Sequence, residues 1–443
     1  MHPLRYFLRR ALRGALFVAT ASLSAETWTA PTAVATALRN NPDVEVAHHR
    51  LAAAEAMIEQ ARAAWLPQVA LSSRYTETNS PMVAFGAILN QRAFHFGLDF
   101  NQPGRIDNLN LTGTVGYNLY SGGRATAGKR AAEAGARAVG EDLRAAQQQL
   151  AHGAIRALLN LRKARAAVGA IAAGTEALAA AVANARLRFE AGQMLKADLL
   201  SLEVQLAETR EVLTSARHQA ALAERAFLYV LGLEPTPGGH VELAEEDTTL
   251  SALPLPPSAT IAQRPELLGL QERLTAAEHL VEVARGARRP TVNAFASYQY
   301  DHGGKLNRHG DSWLAGVAVD VNLFDGGQTS GKIRQAAAEV AQVKAMIRKT
   351  RLGLALEVEQ ARLAHDAARA RLAVSDQTVA QAEESAALSR ARFAQGVLLT
   401  AELIGVESRL LEANMRRAVA QADERIALAD LYRSLGLLPF TAN

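Results

Sequence analysis

The sequence predicts a mainly α-helical chain, built twice over, with amphipathic β-hairpins fit for a membrane. Three observations carry this. First, Arg124 to Glu190 contains no proline and is dense in Ala, Leu, Arg, Glu and Gln, all good helix formers. At 1.5 Å per residue that makes about 100 Å of rod, against ~10–14 residues for an ordinary globular helix. Second, the pattern recurs. Gly122 matches Gly326, Phe189 matches Phe393, Gly192 matches Gly396, and Leu231-Gly232-Leu233 matches Leu435-Gly436-Leu437, each pair 204 residues apart. Third, the segments before the two double glycines alternate apolar and polar residues with period two, the signature of strands with two unlike faces.

The duplication reaches further back. Asn41-Pro42 matches Arg264-Pro265 and Leu66-Pro67 matches Arg289-Pro290, at an offset of 223. The difference, 223 − 204 = 19 residues, falls wholly between the second of these motifs and the double glycines. Rods of fixed length beside a loop of free length imply rods held in register with one another. The expected division is a leader at 1–25, a first repeat at 26–233, a linker at 234–263 and a second repeat at 264–443.

In chain order, Arg5, Arg9, Arg10 and Arg13 precede an apolar run from Ala15 to Leu23 and small residues at Ser22, Ser24 and Ala25. That is the layout of a secretory signal peptide; Arg9-Arg10 hints at twin-arginine export, but its flanks match poorly. Cleavage removes four of the 48 basic residues and leaves 44 against 44 acidic ones. The mature chain is then nearly neutral, and no basic surface for nucleic acid is expected. There is no cysteine, which a secreted chain of this size tolerates and which excludes a lipidated N-terminal cysteine. No charge-free apolar run after the leader approaches the ~18–20 residues of a membrane-spanning helix.

A helix is expected over 32–65, interrupted at Asn40-Asn41-Pro42 because the residue before proline avoids the helical region, and ended by Leu66-Pro67. A hairpin follows at 68–121. One face of its second strand reads Leu109, Leu111, Gly113, Val115, Tyr117 and Leu119; the other reads Asn110, Thr112, Thr114, Gly116, Asn118 and Tyr120. Val69, Leu71, Ser73 and Tyr75 give the first strand a weaker apolar face. The second hairpin, 291–324, repeats this with Val292, Ala294, Ala296, Tyr298 and Tyr300, then Trp313, Ala315, Val317, Val319, Val321 and Leu323. Strands of about ten residues with one apolar and one polar side suit a transmembrane barrel with a wet lumen. A soluble hairpin lying on a core shows the same alternation. Export, and the lack of any other element to cover four apolar faces, favour the barrel. Pro81 to Asp107 is expected to be a long external loop, and His302 to Gly310 its short hydrophilic counterpart.

After Gly192 a returning helix is expected from Ala197 to Tyr229, stopped by Leu231-Gly232 with Pro235 beyond, the usual glycine-then-proline ending. The linker holds most of the prolines.

Signals for chemistry are few. Gly123 to Lys129 and Gly326-Gly-Gln-Thr-Ser-Gly331-Lys332 fit G-x-x-x-x-G-K, yet Arg130 and Ile333 stand where a phosphate loop needs Ser or Thr. Gly122, Gly123, Gly326 and Gly327 instead suit a sharp bend from strand into helix, with Ser121 and Asp325 as helix caps. Asp301, His302, His309 and Asp311 share a loop, for which a solvated reading outweighs a metal site. No nucleophile-base-acid set is visible, so no catalysis and no cofactor is expected. The turns at Gly192 and Gly396 are the sharper feature: each is followed six positions on by an acid, Asp198 or Glu402. An acid near a helix N-terminus complements the macrodipole. Both acids also lie at the rod ends remote from the strands, where a tube would close.

Taken together, the strand ends entering Gly-Gly, the paired Arg-Phe-x-x-Gly turns, the Asn-Pro and Arg-Pro starts and the Leu-Gly-Leu closures make the chain resemble the TolC-like outer-membrane factor family over its whole mature length. The resemblance implies a homotrimer, each chain giving four strands to a 12-stranded β-barrel and its paired helices to an α-helical tunnel. It implies the outer membrane of a Gram-negative bacterium, with the tunnel in the periplasm, and partners in a periplasmic adaptor and an inner-membrane pump. It assigns the tip turns at Phe189, Gly192, Phe393 and Gly396 to the adaptor, and Asp198 and Glu402 to the gate. Two departures stand out: Leu398 replaces a gate-locking arginine, and Gly405 replaces a second acid. A small-molecule efflux duct and a type I protein-secretion duct are not separable here. A periplasmic adaptor would need one helical hairpin and a soluble β domain, and a fibrous coiled coil would need sustained heptads without strand pairs.

Overall fold

In a computed structural model, residues 27–235, 240–244 and 261–437 are described. The expected leader and most of the linker lie outside them. Among the described residues, two copies of one plan follow each other. The first runs α1 (Ala30–Asn40), α2 (Pro42–Arg62), β1 (Gln68–Thr78), α3 (Pro81–Asn90), β2 (Ile106–Tyr120), α4 (Arg124–Glu190) and α5 (Lys196–Val230). The second runs α6 (Pro265–Gly286), β3 (Thr291–Gly303), β4 (Arg308–Asp320), α7 (Gln328–Ala394) and α8 (Thr400–Ser434). The rods α4 and α7 each have 67 residues, and the returning helices α5 and α8 each have 35.

The four strands form one antiparallel sheet in the order β1-β2-β3-β4. Its register is the informative part. Val69 pairs with Val115, Val115 with Ala296, and Ala296 with Ala315; Leu71, Gly113, Tyr298 and Trp313 form the next row. Directly paired residues share a face, so all four apolar stripes lie on one side of the sheet. That side is open: Leu71 is 83% exposed, Trp313 77% and Val317 62%. The other side is polar and internally bonded. Asp301 Oδ1 accepts from Asn108 Nδ2 at 2.6 Å and Asn110 Nδ2 at 2.9 Å, and Gln299 Nε2 donates to Ser312 Oγ at 2.9 Å.

Three expectations need correction here. The connection between β1 and β2 is not a plain loop, because its apolar run folds as α3. The end of α3 lies on the polar face of the sheet: Gln91 is fully buried and its Nε2 donates to Asp107 O at 2.7 Å and Asn108 Oδ1 at 2.9 Å. A side chain at Gly303, which points to that face, would meet Gln91. The stretch 302–310 is mostly strand, with only Gly304–Asn307 as a turn, because the register continues to the pair Gly303–Arg308. β4 ends at Asp320, so Val321 and Leu323 lie beyond the paired strand. The remaining boundaries fall within one or a few residues of expectation, as helix and strand ends commonly do.

Past the ends of β2 and β4 the chain turns into the rods. Gly122, Gly123, Gly326 and Gly327 have φ of 68°, 86°, 64° and 89°, a left-handed pair that only glycine adopts freely. Ser121 Oγ accepts from Ala125 N at 3.0 Å, and Asp325 carboxylate oxygens accept from Gly327 N at 3.0 Å and Thr329 N at 2.8 Å. The phosphate-loop-like residues are thus helix starts; Lys129 pairs with Glu133 one turn on, at 3.3 Å.

α2 and α6 pack along the upper part of α4, α5 runs back beside its lower part, and α8 lies on both α7 and α4. A stretch of alanine-rich α4 is apolar enough by length and composition to cross a membrane, yet the helix is packed along this bundle. Halfway down, one core gathers Ala151, Ile155, Leu158 and Leu161 of α4, Val34 of α1, Phe227 of α5 and Tyr432 of α8. Residues 240–244 lie over it, with Leu243 bridging in parallel to Trp28. Here the short motifs meet. Asn41 Nδ2 donates to Val230 O at 2.8 Å; in the second repeat, Arg264 Nη1 donates to Ser434 O at 2.9 Å and Arg433 O at 3.0 Å. The residue before each proline therefore satisfies the last carbonyls of a returning helix, groups with no partner inside the helix itself.

Candidate functional site

The lower ends of the two helical hairpins form the candidate site. Each rod ends in the same hydrogen-bonded stop. Gln193 N donates to Arg188 O at 2.8 Å and Gly192 N to Phe189 O at 2.9 Å; Val397 N donates to Arg392 O and Gly396 N to Phe393 O, both at 3.0 Å. This is the Schellman pairing, with a left-handed glycine just past the helix; φ is 72° at Gly192 and 77° at Gly396. The chain re-enters a helix at once. Asp198 N and Glu402 N donate to Leu195 O and Leu399 O at 3.1 Å, so each acid sits in the first turn of its helix.

Both hairpins are braced in the same way. Arg186 Nη2 bonds Glu203 Oε1 at 2.5 Å, and Arg390 Nε bonds Glu407 Oε1 at 2.5 Å. These pairs use the acids one turn or more above the tip and leave Asp198 and Glu402 out. Asp198 is half-buried and Glu402 exposed. The tips are joined through an apolar cluster of Leu178, Val182, Leu199, Leu202, Phe393 and Leu403, with Leu398 packed against it. The leucine at 398 is therefore a packing residue of the tip.

Arg188 links the two turns. Its Nη1 donates to Phe393 O at 2.6 Å, and its guanidinium lies 5.3 Å from the centre of the Phe393 ring, within reach of a cation–π contact. The sequence shows both Arg-Phe turns but offers no means of seeing this link, which joins residues 205 positions apart. Leu195, Val397 and Leu399 stand 73%, 76% and 70% exposed at the same end, an apolar patch that sequence reasoning also missed. Asp301 and His309, expected in a loop, lie in β3 and β4: Asp301 is taken by Asn108 and Asn110, and His309 lies against the Tyr300 ring. Among the described residues no group of three or more His, Cys, Asp or Glu side chains could hold a metal ion.

The family described as outer membrane efflux protein matches residues 33–233 and 257–437, one block per repeat. Among curated proteins the chain is similar to outer membrane efflux protein BepC of Brucella suis biovar 1, 27% identical over 285 residues. That match spans 61% of this chain and only 60% of the relative. Protein CyaE of Bordetella pertussis is 27% identical over 432 residues, covering 92% of this chain and 83% of that one. Among solved structures, the outer membrane protein VceC of Vibrio cholerae superposes with a TM-score of 0.75 at 20% identity, covering 93% and 97% of the two chains. CusC superposes with a TM-score of 0.80 at 16% identity, covering 92% of each. These likenesses establish the fold. With both repeats matched, this chain belongs to the outer membrane efflux protein family.

Proposed function

We propose that the chain is the outer-membrane exit duct of a tripartite efflux system, conducting substrate passively from an inner-membrane pump and a periplasmic adaptor to the exterior. The observation that carries this reading is the sheet. Four apolar stripes share one open face, the opposite face is polar, and β1 and β4 have free edges. A four-stranded sheet cannot close, and free edges invite pairing; three copies give the 12 strands of a closed barrel with a wet interior. The rods then continue the tube into the periplasm.

In this reading the turns at Phe189, Gly192, Phe393 and Gly396, with the exposed Val397 and Leu399 beside them, meet the adaptor. Asp198 and Glu402 line the gate. Nothing in such a duct calls for catalysis. A photo-crosslinking residue at Val397 tests the adaptor contact in cells carrying the cognate pump: capture of the adaptor is expected, together with a heat-dissociable trimer in the outer-membrane fraction. Trimers without adaptor capture would remove the docking role, and absence from the outer membrane would remove the duct.

A type I secretion duct is the second reading. The extended match to CyaE and a further similarity to alkaline protease secretion protein AprF of Pseudomonas aeruginosa, at 25% identity over 270 residues, favour it. Deleting the chain and assaying both drug accumulation and secreted protein separates the two.

A further inference from the structure

The clasp between the two turns has a mirror image that a single chain leaves open. Arg188 and Phe393 interact within the chain; 204 positions displaced, the same two residue types recur as Arg392 and Phe189. The local backbone around each pair is the same, down to the turn hydrogen bonds, the glycine φ values and the Arg186–Glu203 and Arg390–Glu407 braces. Yet the surroundings differ in three ways. Phe393 is 6% exposed while Phe189 is 36% exposed. Arg188 holds a carbonyl and a ring, whereas Arg392 is exposed and its guanidinium makes no hydrogen bond or ion pair among the described residues. A Cβ at Gly396 would lie 2.9 Å from Arg188 Nη2, while the space around Gly192 is open within 4 Å. Everything that Arg188 fills on the second turn is empty on the first.

The repeat supplies the occupant. If the step from first to second hairpin within a chain is also the step from the second hairpin to the first hairpin of the next chain, Arg392 arrives beside Gly192 and Phe189. We infer that Arg392 clasps the Phe189 carbonyl and ring of a second copy of this chain. The unpartnered guanidinium of Arg392 and the open Phe189 ring lie on opposite turns of one chain. The Phe189 carbonyl, which accepts from Gly192 N at 2.9 Å, keeps a second lone pair for it, as Phe393 O does for Arg188. The contact is therefore head-to-tail, the kind that closes into a ring when the rotation permits. In a trimer, three clasps within chains alternate with three between chains, and the six turns form one continuous collar. A guanidinium over an aromatic face gains strength as water is excluded, so each clasp is firmest when the collar is shut. The inference rests on the trimeric duct reading and adds to it which residues tie one copy to the next.

The chain has no cysteine, so paired thiols give a clean test on the full-length protein. The Phe189→Cys/Arg392→Cys variant, purified in detergent and treated with a short bis-maleimide, is expected to give covalent dimers and trimers on a denaturing gel. The Arg188→Cys/Phe393→Cys variant is expected to stay at monomer mass, with both thiols consumed inside one chain. In planar bilayers Arg392→Ala is expected to raise resting conductance several-fold, and Arg392→Lys, which keeps the charge, by less. Light scattering separates the two ideas. A trimer in which the 189/392 pair yields no linked chains overturns the clasp and leaves the duct reading standing; a protein that does not trimerise overturns both.

Discussion

Arg264 shows how much one side chain carries. It is 1% exposed, its Nη1 holds the last carbonyls of α8, and its other nitrogens bond Glu266, with Glu357 at 3.5 Å. Burial works against its charge, yet the two carboxylates win and raise its pKa. Burial likewise works to raise Glu266, and the bond to Arg264 wins and lowers it below the ordinary 4.5. Removing one partner of a buried ion pair costs roughly 3–5 kcal/mol. Both acids are about one-third exposed, so Arg264→Ala is expected to cost less than that, about 2–3 kcal/mol after solvent screening. A lower urea midpoint of the detergent-solubilised protein checks it. The sign of the pH effect is also fixed. The contribution of Glu266 is fully present above pH 4.5 and is lost as pH falls through its lower folded value. Arg264→Ala should therefore lose part of the wild-type acid transition, read as helical circular dichroism against pH. The arginine is plain in the sequence; its burial is not, since its partners on α7 and α8 lie far along the chain.

At the scale of elements, the sheet gives the sharpest expectation. Val115 and Thr114 are neighbours on β2, but the register sends them to opposite faces, in rows with Ala296 and Ser297. If the apolar face meets lipid, Arg at Val115 or Val317 should cost ~2–4 kcal/mol at mid-membrane, whereas Arg at Thr114 or Ala318 stays in water. Yield of folded trimer after outer-membrane extraction measures the contrast, and equal loss on both faces would contradict the assignment. The rods illustrate the other kind of legibility. Their ends coincide with sequence expectation because glycines of positive φ punctuate them, a purely local requirement. The length of β3 and β4 was less legible: Asp301 to Gly303 and Arg308 to Gly310 are polar or glycine and read as loop, yet pairing across the hairpin carries them as strand.

For the whole molecule, the prediction concerns the pore. If the proposed trimer places Asp198 and Glu402 at its gate, they come together as three copies each at the narrow end. Carboxylates ringing a low-dielectric throat favour cations and hold multivalent ones tightly. Three arginines of the tip are committed within the chain, Arg186 and Arg390 to the braces and Arg188 to Phe393. In the inferred collar Arg392 is taken by Phe189 of the next copy, and Leu398 is apolar and packed into the cluster. The ring at Glu402, exposed on its helix, is the less neutralised. A cation-selective pore is expected, blocked from the periplasmic side by trivalent cations, with Glu402→Ala relieving most of the block and Asp198→Ala less. Single-channel recording decides it; an anion-selective pore, or block unchanged in the double variant, would leave these acids as helix-terminus charges alone.

By itself the sequence determined everything that depends on neighbours along the chain: rod lengths, the glycine bends, the proline breaks, the two-faced strands and the fact of duplication. Each follows from backbone sterics or from a periodicity within one segment. The tertiary structure alone decided which distant groups meet. It laid α3 on the polar face through Gln91, buried Arg264 against the end of α8, and brought Arg188 onto Phe393 while leaving the Arg392 guanidinium and the Phe189 ring apart. Those contacts join residues 16 to 205 positions apart, and no local propensity encodes them. They arise because rods of equal length, starting from one sheet, must end side by side.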